Sequence, residues 1–309
     1  MLKFSLPLLI LIASLSSGTR AQTAPTPTAS PTPAPPPATE IFIVGVVRHR
    51  GELKMGKPES ITPWGGYNNQ PMFLRDGRGL LYASVRADRQ ADIYRYDIIG
   101  RSTERLTDTS ESEYSPTITP DGRFFSTIRV EADGTQRLWK FPLAGGRAVL
   151  VLDRIKPVGY HAWIDADRLV LFVLGTPSTM QFADVRTQES EKIAENIGRS
   201  LHRIPRQNRI SFVHKMSEQE WVIKAHDLKS RVSIPLIKTL PGSEDYAWTP
   251  EGILLMARDA KLFQWDPSRD RDWREVADFS AAGLHRITRI AVSPKGDRVA
   301  LVTQGATPR

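Results

Sequence analysis

One short phrase recurs along this chain at a spacing that few architectures can accommodate. Its clearest copies are Ser115-Pro-Thr-Ile-Thr-Pro-Asp-Gly-Arg123 and Gln70-Pro-Met-Phe-Leu-Arg-Asp-Gly-Arg78. Looser ones are Tyr246-Ala-Trp-Thr-Pro-Glu-Gly252, Ile290-Ala-Val-Ser-Pro-Lys-Gly296, Tyr160-His-Ala-Trp-Ile-Asp-Ala-Asp167 and the degenerate Leu201-His-Arg-Ile-Pro-Arg-Gln-Asn208. The turns return about every 44 residues, the period of a four-stranded propeller blade.

The copy around Pro120 serves as the template. Tyr114 to Ile118 reads as an inner strand, and Pro120-Asp121-Gly122 as a tight turn in which glycine takes the positive φ. Phe124 to Val130, Gln136 to Phe141 and Ala148 to Leu152 follow as the second, third and outer strands, separated by Asp133-Gly134 and Gly145-Gly146. No segment after Glu40 sustains a helical period, so the expected class is all-β.

The third strands form a second set of repeats: Asp92-Ile-Tyr-Arg-Tyr-Asp97, Arg137-Leu-Trp-Lys-Phe141, Met180-Gln-Phe-Ala-Asp184, Val222-Ile-Lys-Ala-His-Asp227 and Lys261-Leu-Phe-Gln-Trp-Asp266. The copy that is missing for the last blade stands at the other end of the chain, as Glu40-Ile-Phe-Ile-Val-Gly45, with Glu59-Ser-Ile-Thr62 as its outer strand. The expected fold is therefore a six-bladed β-propeller of four-stranded antiparallel blades, over residues 40–304. Ile287 to Val292 and Arg298 to Val302 supply the inner half of the last blade, and the N-terminal strands close it. Closure of this kind removes the open sheet edges of the ring.

These repeats, with Arg105-Leu-Thr107 between two of them, resemble those of TolB-type propellers over about Glu40 to Thr303. The resemblance implies a binding protein of the Gram-negative envelope with protein or peptide partners. In TolB-type proteins an N-terminal α/β domain takes part in recognition, and this chain has a proline-rich segment in that place. Related propellers also precede hydrolase domains in prolyl-oligopeptidase-type peptidases, and with the last blade ending at about Thr303 no such domain is expected here.

The ends of the chain bear on location. Lys3, the apolar run Phe4 to Leu15 and the small residues up to Ala21 read as a cleavable export signal over residues 1–21. The apolar run is too short to span a bilayer as a helix. Residues 22–39 are rich in Pro, Thr and Ala and read as an extended spacer. Residues 305–309 read as a short tail. With no cysteine in the chain there is no disulfide framework, no thiol nucleophile and no lipid anchor through a cysteine. The expected location is periplasmic or secreted, with no covalent membrane anchor, and the expected state is a monomer. The formal net charge of +8 is scattered, without basic runs or an aromatic-basic motif, so nucleic acid is not an expected partner.

In a propeller the constant turns are architectural, and function belongs where the copies differ, at the channel mouth opposite the Asp-Gly turns. The segments there are Asn68-Asn69-Gln70, Glu113-Tyr114-Ser115, Gly159-Tyr160-His161, Arg199-Ser200-Leu201-His202, Glu244-Asp245-Tyr246 and Arg286 to Arg289. Tyr114, Tyr160, His161, Asp245, Tyr246 and Arg289 are the expected contacts for an envelope protein, a peptide or another envelope ligand. An alternative is a lactonase-like, metal-dependent hydrolase with calcium held by Asn69, Glu113, Glu244 and Asp245; no other cofactor is expected. A further alternative is electrostatic attachment to anionic envelope polymers. Trp163 and Trp248, like Trp139, Trp221 and Trp265, read as packing between blades, and His226 as an exposed strand residue. Asp266, Asp270 and Asp272 read as a polar hairpin connection. No nucleophile elbow, zinc-peptidase motif, phosphate loop or dinucleotide fingerprint is present.

Overall fold

The computed structural model describes residues 36–49 and 52–304. The export signal, residues 22–35 of the spacer and the C-terminal tail lie outside the described residues. The remainder forms six antiparallel sheets, each a blade, and in five of them the innermost strand comes first in the chain. Blade one runs Tyr67–Phe73, Gly79–Val85, Ala91–Asp97 and Ser102–Arg105. Blades two to five repeat the pattern, with inner strands Ser112–Ile118, Val158–Trp163, Ile197–Arg203 and Tyr246–Trp248. Apart from a short 3-10 turn at Ser280–Ala282, the regular elements among the described residues are strands. No helix among them is long and apolar enough to cross a membrane.

The sixth blade is assembled from both ends of the chain. Ile287–Val292 is its inner strand and Arg298–Gln304 its second. Thr39–His49 pairs with the latter in antiparallel register, from Thr39 opposite Gln304 to Gly45 opposite Arg298. Its outer position differs from the expectation that Glu59 to Thr62 would fill it alone. Glu59–Ser60 pairs with Ile43 and Phe42, while Glu52–Met55 folds back as a hairpin on Val46 to His49. The third strand is longer than its counterparts, so one short outer strand leaves half of it uncovered and the hairpin covers the rest.

Side-chain alternation explains how one strand serves two interfaces. Val299 and Leu301 pack toward blade five with Val44, Ala247 and Leu255, while Ala300 and Val302 pack toward blade one with Ile41, Phe73 and Leu80. Buried from both sides, such strands carry unbroken apolar runs, as in Leu80 to Ala83. The outer strands are largely exposed, from the four-residue Ser102–Arg105 to the seven-residue Glu189–Glu195.

Polar latches join neighbouring blades. The indole of Trp163 donates to Ser126 Oγ at 2.9 Å, and His161 Nε2 meets the same hydroxyl at 2.7 Å. Two blades on, Trp248 Nε1 and the Tyr246 hydroxyl converge on Ser211 Oγ at 2.8 and 2.9 Å. The repeated Ala-Trp pair thus does the same work twice. His226 differs from its expected exposure. It is buried, with its ring edge-on to Phe182 and Nδ1 2.9 Å from Ser233 Oγ. Asp270 organises the fifth-blade connection by accepting from the Asp266 N–H and pairing with Arg274.

Candidate functional site

Each inner strand ends at a residue whose N–H bonds across to the start of the second strand: Leu74, Thr119, Ile164, Ile204, Thr249 and Ser293. Four residues earlier in each copy stand Gln70, Ser115, Tyr160, Ser200, Asp245 and Arg289. These six equivalent positions form one layer around the channel. The sequence places all six in the mouth segments, but the expected contacts include only Tyr160, Asp245 and Arg289. Aligning the copies on their strand ends, rather than on residue type, puts Gln70, Ser115 and Ser200 at the same level.

The layer is cross-linked. Gln70 Oε1 accepts from the Ser115 N–H at 2.8 Å. Asp245 Oδ1 accepts from the Ile290 N–H at 2.9 Å, and its Oδ2 from Ser200 Oγ at 3.3 Å. Arg289 lies 3.5 Å from Asp245 through Nη1 and donates from Nη2 to the Tyr160 hydroxyl at 2.7 Å. Blades three and six stand across the ring from each other, so this last bond bolts the channel in cross-section. Burial works against the charge on Arg289, but the Tyr160 hydroxyl and the Asp245 carboxylate outweigh it and hold the guanidinium's proton more tightly than usual.

Two members of the layer are held in an unfavourable backbone conformation. Gln70 and Ser115 have φ of 58° and 54°, each precedes a proline, and each lies at a break in strand register. A non-glycine residue there costs on the order of 1–3 kcal/mol, so the surrounding contacts impose the geometry.

On the mouth side, Tyr114 packs edge-to-face on Tyr67 with ring centroids 6.2 Å apart, and burial raises the proton affinity of both hydroxyls. Arg199 reaches from blade four to the Thr288 carbonyl at 3.3 Å and lies 3.4 Å from Glu244. Glu244 also pairs with Lys215 at 2.8 Å. A groove of about 790 Å3 runs between blades three and four, walled by Tyr160, Phe172, Leu174, Met216 and Trp221. On the far side of the layer a chamber of about 390 Å3 extends along the inner strands toward the Asp-Gly turns, reaching Arg75 and Pro120.

The expected contacts therefore separate by position. Tyr160, Asp245 and Arg289 belong to the layer. Tyr246 is fully buried, with its hydroxyl committed to Ser211, so it is a core latch rather than a surface contact. His161 holds the equivalent place in blade three and shares that latch role while also lining the chamber wall. Trp163 and Trp221, expected only between blades, also line the chamber and the groove respectively.

Among the described residues no three His, Asp or Glu side chains converge as a metal cluster would require. Asn69 Oδ1 accepts from the Gln70 N–H, and Glu113 pairs with Arg129 at 3.0 Å. Glu244 and Asp245 hold the cations described above.

Burial carries one measurable consequence. It depresses the His161 imidazole from 6.5 to about 3 and lowers that of His202 in the same direction. A folded-state value below the unfolded one means that stability is full above about pH 6.5 and is lost as pH falls toward 3. From pH 7 to pH 5, His161 alone is expected to cost about 2 kcal/mol. Urea unfolding should show that loss, and His161→Gln should remove about that much of it. An equal loss in the variant would refute the assignment.

No family model and no curated protein matches the chain. Solved structures do match. The putative TolB from Agrobacterium tumefaciens superposes with a TM-score of 0.69 at 17% identity, over 88% of this chain and 100% of that one. TolB from Acinetobacter baumannii gives 0.57 at 12% identity, over 87% of this chain and 64% of that one. An oligogalacturonate lyase in complex with manganese gives 0.55 at 12%, over 80% of each chain. Likeness at these identities establishes architecture, and function has to be argued from the site. The chain has the fold of the TolB-like six-bladed β-propellers.

Proposed function

We propose that this protein is an exported, periplasmic or secreted binding scaffold without catalytic activity, which takes a protein or peptide segment at the channel mouth opposite the Asp-Gly turns. The observation that carries this reading is the groove between blades three and four. Leu174 and Met216 stand 38% and 53% exposed on its wall beside Tyr160, Phe172 and Trp221. Lys215, Glu244 and Arg199 supply both signs of charge at its base. Apolar pockets next to paired charges suit an extended segment that buries alternate side chains and leaves its polar groups at the rim. Export rests on residues 1–21, and residues 22–39 act as the spacer that follows.

The test is in-cell crosslinking from a photoreactive residue at position 218, on the groove rim. One dominant partner is expected, and Met216→Asp with Leu174→Asp, both exposed on the groove wall, should reduce its capture at least tenfold without altering melting. Unchanged capture in that variant would place the binding surface elsewhere.

A further inference from the structure

We propose that the chamber on the Asp-Gly side of the cross-linked layer is a second, separate binding site, for an organic anion carrying at least two carboxylates. Four guanidinium groups line it, from Arg75, Arg199, Arg203 and Arg289, against one carboxylate, Asp245. That carboxylate is already committed on both oxygens, to the Ile290 N–H, Ser200 and Arg289. Arg75 and Arg203 have no ion-pair partner among the described residues, although Arg203 donates to the Ile164 carbonyl at 2.6 Å. Arg199 pairs with Glu244 and Arg289 with Asp245, so the surplus of positive charge in the chamber belongs to Arg75 and Arg203, with the partnered guanidiniums behind them.

Local structure holds these groups in place. Arg75 lies across the neighbouring turn at Gly122, where a Cβ would come within 3.1 Å of its Cδ. Gly122 is at φ +71°, so the turn needs glycine for its backbone and the arginine occupies the space this leaves. At the other end, the bolt between Arg289 and Tyr160 closes the floor.

The rest of the wall identifies the ligand class. Met72, Ile118, Trp163 and Leu201 contribute apolar surface, which suits a carbon skeleton rather than a bare inorganic ion. The two guanidinium forks without ion pairs, Arg75 and Arg203, match two planar carboxylates held apart by that skeleton. The volume of about 390 Å3 falls at the small-molecule end of binding cavities.

The experiment is isothermal titration calorimetry of the full chain with citrate, with triglutamate and with sulfate at equal ionic strength. Binding of citrate or triglutamate, but not of sulfate, is expected, and the stronger of the two tells a free acid from acidic peptide side chains. Arg75→Gln with Arg203→Gln should weaken it at least tenfold; both residues are exposed, so the fold should tolerate the change. Met216→Asp with Leu174→Asp should leave it unaltered, which separates this site from the mouth groove. No heat from either acid at millimolar concentration, binding no stronger than that of sulfate, or full binding by the double arginine variant would each overturn the proposal.

Discussion

A chain lacking Glu40 to Val47 is expected to have no folded monomeric state. That segment is the third strand of the closing blade, in register with the last strand from Thr39 to Gly45. Removing it also detaches Glu52–Met55 and Glu59–Ser60, which pair with nothing else in the sheet. Ile41 and Val44 are fully buried, on opposite faces, so both neighbouring interfaces lose an anchor. Each such side chain is worth about 1.5–3 kcal/mol, and each ladder bond about 0.5–1.5 kcal/mol net. The sum approaches the whole stability of an ordinary domain, roughly 5–15 kcal/mol. The deletion would also bare the edge of Arg298–Gln304, an invitation to pair with another chain. Circular dichroism and size-exclusion chromatography should show an unfolded or oligomeric product. A monomer with native melting would contradict the closure mechanism. Ile41→Ala, which leaves the ladder intact, should cost about 2–5 kcal/mol in urea unfolding.

The architecture was legible because its determinants are local and repeated. Pro120-Asp121-Gly122 and its copies mark strand ends through backbone requirements, and the apolar runs between them mark strands buried on two sides. Even the split blade could be read, since a missing third strand has to be supplied from somewhere. The hairpin at Glu52–Met55 was not legible. Its strand is short and mostly exposed, with only Leu53 buried, and nothing in its composition separates it from a loop.

The site was only partly legible, for a geometric reason. Adjacent residues on an inner strand face different surroundings, so a one-residue displacement moves a side chain from the channel to the interface between blades. Tyr160 and His161 are neighbours, yet one bolts the channel and the other latches a blade. Tyr246 was chosen for its chemistry, but its position matches His161 and its hydroxyl faces Ser211. Gln70, Ser115 and Ser200 stand in the expected mouth segments but have modest chemistry and are not among the expected contacts, although they hold the same level as Asp245 and Arg289. Register decides these roles, and residue type does not reveal register.

Asp245→Ala is expected to destabilise the protein by about 3–5 kcal/mol, the cost of leaving a buried cation without its partner. Asp245 and Arg289 side chains are each only 14% exposed, so water cannot readily replace the carboxylate. The substitution also strands the Ile290 N–H, which Oδ1 holds at 2.9 Å. Asp245→Asn separates these contributions, because the amide oxygen can still accept from Ile290 while the charge is gone. It should cost less than the alanine variant, and the difference reports the backbone tie. Arg289→Met removes the cation and the bolt to Tyr160 together, filling similar volume without charge. Combined with Asp245→Ala it should cost clearly less than the two single changes added, since the unpaired charge no longer exists. A urea-unfolding double-mutant cycle measures this. Strict additivity would mean that the two side chains act independently, and the layer would then be a set of neighbours rather than a coupled unit. Coupling of more than about 1 kcal/mol would instead make Asp245 and Arg289 one energetic unit within the layer, tying blade five to blade six at the channel.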